Sequence, residues 1–209
     1  AIENSKPDLI VNFAAESHVD RSICKPREFL ESNTIGTFNL LEAALEYWNK
    51  LPIHKKERFR FLHISTDEVF GSLLKVGKFS ENSPYHPSSP YSASKAASDH
   101  FVNSWYKTFS FPSLISNCSN NYGPRQFPEK LIPKAIYKII NNSNIPIYGN
   151  GENIRDWIYV DDHIDALIMI LLNGDAGNRY CIGANEEISN LKLIKLICKK
   201  LDIKLNRKK

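Results

Sequence analysis

Two short stretches of this 209-residue sequence hold side chains suited to proton transfer. In FLHISTDEVFG, residues 61–71, an apolar run rich in β-branched and aromatic residues breaks off into Thr66, Asp67 and Glu68. Adjacent carboxylates are costly at the end of a buried strand. Side by side they drive two pKa values apart, so that one gives a proton while its neighbour takes one. In SPYSASKAASDHF, Tyr91 and Lys95 are four residues apart, one turn along the same helix face. An ammonium in that position favours ionisation of the phenol and makes a tyrosine base workable nearer neutral pH. Each feature also has a plainer reading: the acids as caps of a turn, the Tyr–Lys pair as a chance pairing on a helix. Their succession, strand-end acids followed by the helix pair, favours chemistry.

The elements that must position these groups alternate between strand and helix. Residues 9–13 read as a short buried strand that breaks into a loop at 14–17. Leu30, Ile35, Phe38, Leu41 and Leu45 predict a helix over 27–48, and RFRFLHIST is the next strand. A Gly/Ser/Pro-rich loop over 71–90 leads into a helix from Tyr91, after which SLISNCS is again a strand. KLIPKAIYKIINN predicts a helix and RDWIYVDD a short extended segment. Asp161 or Asp162 is placed to cap a helix through Leu172, and Ser189 to cap the last helix, through Leu201. This order predicts an α/β chain with a Rossmann-like, doubly wound parallel sheet and right-handed crossovers. From Phe127 onward strands shorten and Pro, Gly and Asn become more frequent. The expected division is therefore a larger sheet-bearing part, 1–126, and a second, smaller region laid over the sheet, 127–209. Ligands of open parallel sheets collect at the carboxyl ends of the strands. AAESH, STDE and CSNNYGP are the three polar clusters at such ends.

Composition narrows the function classes. With 42% hydrophobic and 24% charged residues the chain is of ordinary globular type. The net charge of +4 is modest, and the basic residues at 199, 200, 204 and 207–209 read as a solvated helix end. No aromatic residues interleave them, so no nucleic-acid partner is expected. Cys24, Cys118, Cys181 and Cys198 lie far apart without a CxxC pair. That spacing argues against a zinc site and a disulfide framework and points to a reducing cytoplasm. The longest apolar run, 166–172, is far too short to span a bilayer, and no signal-peptide pattern opens the chain, so no membrane association is expected.

The YxxxK pair following an ISTDEVFG strand resembles the extended short-chain dehydrogenase/reductases, which work on nucleotide-sugars with bound NAD. Within that group NFAAESHVDRSI, FRFLHISTDEVFGSL, SPYSASKAASDHFV, NCSNNYGPRQFPEKLIP, PIYGNGENIRDWIYVDDH and GANEEISN, in this order, resemble the dTDP-glucose 4,6-dehydratase family. The STDE segment discriminates, because related epimerases and decarboxylases usually carry a small residue where Asp67 stands.

The resemblance implies oxidation at the sugar C4, elimination of water across C5 and C6, and reduction at C6 by the same hydride. It gives Tyr91 the proton of the C4 hydroxyl, Thr66 the C4 oxygen, Glu68 the C5 proton, and Asp67 the proton for the leaving C6 hydroxyl. Lys95 then tunes Tyr91 and meets the nicotinamide ribose. Ala14, Ala15 and Ser17 are expected along the NAD, Ser17 also near the sugar, with Ser32 or Asn33 at a cofactor ribose and Asn121 at the NAD. Asn120, Lys130, Leu131, Pro146, Ile147, Tyr148, Arg155 and Asn190 resemble a nucleotide-sugar pocket, Arg155 as a fork for the diphosphate. Turn formation before Gly123-Pro124 is the plainer reading of the two asparagines, and pairing with Asp156 that of Arg155. His63 reads as a hydrogen-bonded core histidine, Trp157 and Tyr159 as packing groups, and Cys181, where the family usually has asparagine, as a packing change.

The family's Gly-rich first strand–turn–helix, its acidic ribose ligand and its closing C-terminal segment have no counterpart in the sequence. The chain is therefore expected to be an interior fragment, inactive by itself and weak toward NAD. The parent is expected to be a homodimer packed through the helices of 27–48 and of Tyr91. Two other readings stay open: a related nucleotide-sugar epimerase or decarboxylase, and a non-catalytic nucleotide-sugar binding fragment.

Overall fold

In the computed structural model, which describes residues 1–73, 77–147 and 149–205, strands and helices alternate along most of the chain. The strands are β1 (Leu9–Asn12), β2 (Arg60–Thr66), β3 (Ser113–Cys118), β4 (Asn120–Tyr122), β5 (Ile154–Tyr159), β6 (Arg179–Ile182) and β7 (Glu187–Ser189). The helices are α1 (Ile2–Ser5), α2 (Val19–Cys24), α3 (Pro26–Phe29), α4 (Gly36–Lys50), α5 (Ile53–Lys56), α6 (Pro90–Phe109), α7 (Leu131–Ile140), α8 (Val160–Asn173) and α9 (Asn190–Lys204). The chain divides into one unit of Ala1–Cys118 with Ala166–Ile182 and another of Ser119–Asp165 with Gly183–Lys209.

In the first unit, β1, β2, β3 and β6 form a parallel sheet in that order. β2 is buried along most of its length, as a parallel strand covered on both faces must be. Successive side chains point to opposite faces. Phe61 and Ile115 accordingly join Leu41, Ala44, Tyr47, Val102 and Phe111 in one cluster, and Leu62 and Leu114 join Leu167 and Ile170 in another. The sheet is thus doubly wound, as the sequence predicts.

α6 opens on a capping box in which Ser89 and Ser92 bond each other's backbone, with Pro90 in the first turn. The predicted 27–48 helix is helical throughout, but a π turn at Leu30–Ile35 separates α3 from α4. A wide turn of this kind does not alter an approximate apolar stripe, so periodicity does not reveal it. α8 follows β5 without a break, starting at Val160. Asp161 and Asp162 therefore lie in its first turn, where the helix dipole favours them, and do not cap it. Ser189 does cap α9, accepting from Lys192 N.

The second unit holds a three-stranded sheet of order β4-β5-β7, parallel between β4 and β5 and antiparallel between β5 and β7. The unit begins at Ser119, eight residues before the compositional change at Phe127, and the chain returns to the first unit over 166–182. The return follows from β6, whose partner is β3. Strand partnership across some 60 residues leaves no mark on local composition.

Candidate active site

The carboxylates of β2's end sit on a single turn of 3-10 helix, Asp67–Phe70. Thr66 starts it: its Oγ1 accepts from Glu68 N at 3.3 Å and donates to Asp67 Oδ1 at 3.3 Å. Buried Val69 and Phe70 anchor the turn from below, so Asp67 and Glu68 remain half-buried above the strand. Gly71 ends it at φ 85°, with no room for a Cβ against the His86 carbonyl.

The first turn of α6 brings Tyr91 to this strand end, its ring edge-on to Phe29 at 6.3 Å. Burial raises the phenol's pKa most, followed by the charges of Glu68, Cys118 and Asp67, while a hydrogen bond with the Thr66 side chain lowers it. Thr66, Asp67, Glu68 and Tyr91 are therefore gathered around one hydroxyl. Lys95 is held by other partners. Its Nζ donates to the Ile64 carbonyl at 2.8 Å and lies 3.3 Å from His63 Nε2, buried beneath the sheet end.

Ala14, Ala15 and Ser17 lie exposed in the loop after β1. Asn12 anchors that loop by accepting from Ala14 N at 3.2 Å. Asn33, on the π turn, is fully buried; its Oδ1 accepts from Glu16 N at 2.8 Å and its Nδ2 donates to Glu16 O and Ser94 Oγ. With both ends of the amide engaged, Asn33 braces the loop against α6, and its neighbour Ser32 is exposed.

The other expected site residues belong to the second unit. Asn120 and Asn121 lie in β4, paired in register with Trp157 and Ile158, and so do not form a turn. Lys130 immediately precedes α7 and Leu131 begins it, Pro146 and Ile147 are exposed in the loop beyond, and Asn190 begins α9. Arg155 is exposed on β5, and its Nη1 donates to Ile154 O at 3.0 Å. Asp156 is engaged elsewhere, accepting from Ala184 N and Glu186 N at 2.8 and 2.7 Å. Tyr148 lies outside the described residues. Trp157 is buried and Tyr159 packs against Tyr122, ring centroids 5.5 Å apart, so both serve packing.

Sequence reasoning overlooked the polar groups beneath the site. Asp99, Ser65, Asn117 and Tyr85 form a buried hydrogen-bonded cluster with His63 nearby. The available signal was Asp99 four residues beyond Lys95 on one helix face.

The sequence profile described as GDP-mannose 4,6 dehydratase matches residues 1–209. A dTDP-glucose 4,6-dehydratase of Xanthomonas campestris is 51% identical over 201 residues, 96% of this chain and 57% of that protein. One from Neisseria gonorrhoeae is 53% identical over 94% of the chain and 57% of its own length. The chain thus spans somewhat over half the length of these relatives. Among solved structures, a Streptomyces venezuelae dTDP-glucose 4,6-dehydratase with NAD and TYD bound superposes with a TM-score of 0.87 at 41% identity, over 94% of this chain and 58% of that one. The Bacillus anthracis enzyme in complex with NAD gives 0.83 at 41% identity, over 96% and 59%. A Bacillus cereus UDP-glucuronic acid 4-epimerase bound to its substrate and NAD gives 0.83 at 29%, over 93% and 60%. A full-length profile match, relatives at half identity and a strand end that gathers Thr66, Asp67, Glu68 and Tyr91 lead to one conclusion: this chain belongs to the GDP-mannose 4,6 dehydratase family.

Proposed function

We propose that the protein containing this chain is an NAD-dependent dTDP-glucose 4,6-dehydratase, a hydro-lyase of the cytoplasm that works as a homodimer. The observation that carries the reading is the grouping of two carboxylates and a threonine hydroxyl around the Tyr91 phenol. A site for C4 oxidation alone needs the threonine and tyrosine, and has no use for an acid and a base beside them. The relatives' names and their NAD complexes supply the substrate class and the cofactor.

The donor set suits a dinucleotide. Two alanines with no side chain beyond Cβ lie exposed past the end of β1, in the region where parallel sheets bind such ligands, on a loop braced by Asn12 and Asn33. NAD, when bound, accepts a hydride and returns it. Ala14, Ala15 and Ser17 would hold it, Asn121 and Ser32 adding contacts. In the reaction Tyr91 takes the C4 hydroxyl proton and Thr66 orients that oxygen. Glu68 removes the C5 proton, acidified by the C4 ketone, and Asp67 protonates the departing C6 hydroxyl. Asn120, Lys130, Leu131, Pro146, Ile147, Arg155 and Asn190 would hold the nucleotide-sugar, Arg155 on its diphosphate.

Glu68→Gln in the full-length enzyme should permit hydride transfer but block C5 proton removal, so reduced cofactor accumulates and no solvent deuterium enters C5. Asp67→Asn should allow exchange at C5 and slow loss of the C6 hydroxyl by about 10²–10⁴-fold. Single-turnover absorbance of reduced nicotinamide, with deuterium read by mass spectrometry, distinguishes them. Wild-type exchange in both variants would reject these roles, and absence of any turnover of dTDP-glucose by the parent would reject the reaction.

A further inference from the structure

Under the catalytic strand end a chain of polar side chains runs between β1, β2 and α6, and only part of it serves the chemistry above. Its orientation is fixed from one end. The Ala14 backbone N–H can only donate, so the Asn12 side-chain atom it meets at 3.2 Å is the carbonyl oxygen. The Asn12 amide nitrogen therefore faces His63 Nδ1, 3.2 Å away, and also donates to Thr37 Oγ1 at 3.3 Å. His63 Nδ1 must accept. The imidazole is fully buried, and burial together with the Lys95 charge holds its pKa well below the ordinary value, so the ring is neutral. A neutral ring that accepts at Nδ1 carries its proton on Nε2.

His63 Nε2 lies 3.5 Å from Asp99 Oδ1 and 3.3 Å from Lys95 Nζ. Its proton points to the carboxylate, since an N–H offers the ammonium nothing. Asp99 Oδ1 has no hydrogen-bond partner among the described residues, so His63 faces it without a full hydrogen bond. Asp99 Oδ2 accepts from Tyr85 OH at 2.8 Å, Ser65 Oγ at 2.9 Å and Asn117 Nδ2 at 3.2 Å. Asn117 is itself oriented by donating to the Thr66 carbonyl at 3.1 Å. Three donors converging on Oδ2 favour an ionised carboxylate. Lys95, also buried, has one full hydrogen bond here, to Ile64 O, and so a buried ammonium rests largely on the charge of Asp99 one helical turn away.

We propose that Asp99 is a positioning residue for the site lysine: an ionised buried carboxylate, held by Tyr85, Ser65 and Asn117 and faced by the Nε2–H of neutral His63, that keeps Lys95 an ammonium and holds it at the end of β2. The titratable groups facing Lys95 are His63 on β2, Cys118 on β3 and Asp99 on α6. Burial lowers the lysine's pKa, and Asp99 leads the opposing causes, with Cys118 the smaller. Tyr85 reaches Asp99 from the loop before α6, so the same carboxylate ties that loop to the site.

The inference rests on Lys95 being the site lysine of the proposed reaction, but its test contains no turnover. In the intact protein, ε-¹³C-lysine NMR follows the ionisation of Lys95, assigned through Lys95→Met. Asp99→Asn should weaken the lysine's hold on its proton about tenfold or more. Asp99→Glu should restore it, and Tyr85→Phe, which leaves the charge, should keep it within about threefold. An unchanged Lys95 titration in folded Asp99→Asn would overturn the proposal. If that variant does not fold, ¹⁵N shifts of His63 in the unaltered protein decide. The neutral Nε2–H form between pH 6 and 8 upholds the arrangement, and an Nδ1–H ring or an imidazolium overturns it. A dehydratase assay that fails while the lysine titration shifts would reject the reaction and leave this arrangement standing.

Discussion

Burial lowers the pKa of both His63 and His163, that of His63 well below the ordinary imidazole value. As the pH falls through about 6.5 the unfolded chain takes up these protons and the folded chain does not, so stability present above that pH is lost below it. The loss is about 1.4 kcal/mol per pH unit for each histidine that stays neutral when folded. The test is therefore comparative: urea midpoints at pH 7.5 and 5.5 should fall more for the parent than for His63→Gln. Equal slopes would show that His63 titrates normally. Cys181 supports a second measurement. Burial, with the charges of Glu81 and Asp67 nearby, pushes its thiol up to about 11, and it packs against Val69, Phe70 and Ala96. At pH 8 only about one such thiol in a thousand is ionised, so iodoacetamide should label exposed Cys24 well before Cys181. Mass spectrometry of partly alkylated protein reads the order, and early labelling of Cys181 would refute the burial.

The turn that carries Asp67 and Glu68 depends on how it stops. Gly71 adopts φ 85° and ψ −141°, a region nearly closed to other residues, and a Cβ there would collide with the His86 backbone. His86 N donates to Val69 O, so the 3-10 turn and the following loop are joined where the glycine sits. Gly71→Ala should cost at least about 1–3 kcal/mol, read as a lower denaturation midpoint. It should also disturb Thr66, whose Oγ1 starts the turn. A midpoint within error of the parent would mean that the loop yields freely. The π turn at Leu30–Ile35 is a comparable device, since its wide backbone sets Asn33 inward to brace Glu16.

For the whole protein the sequence suggests an excess of apolar surface on α6. Much of that surface is spent within the chain: Val102 is buried, and Phe101 and Trp105 each meet Phe38 with ring centroids 5.6 Å apart. What remains exposed is Leu30 at 51% and Ile35 at 47% on the predicted 27–48 helix, with Tyr106 at 37% and Phe109 at 46% on α6. A proposed homodimer would cover these side chains. Leu30→Glu with Ile35→Glu should then convert the full-length protein from dimer to monomer at micromolar concentration by light scattering. A parent that is already monomeric would end that part of the proposal.

Strand and helix order, the doubly wound sheet and the placing of Thr66, Asp67 and Glu68 at the end of β2 were all legible in the sequence. Alternation, apolar runs and the Tyr91–Lys95 spacing are local patterns, and local patterns dictate local structure. Where Lys95 points was decided by tertiary structure, because the Ile64 carbonyl and the charge of Asp99 compete with the phenol for its ammonium. The same holds for Asn33, which spacing puts on a helix and packing turns inward to Glu16 and Ser94. The return of residues 166–182 to the first unit is likewise a matter of β6 finding β3. Hydrogen bonds between residues dozens of positions apart depend on which strands become neighbours, and that is settled only when the core closes.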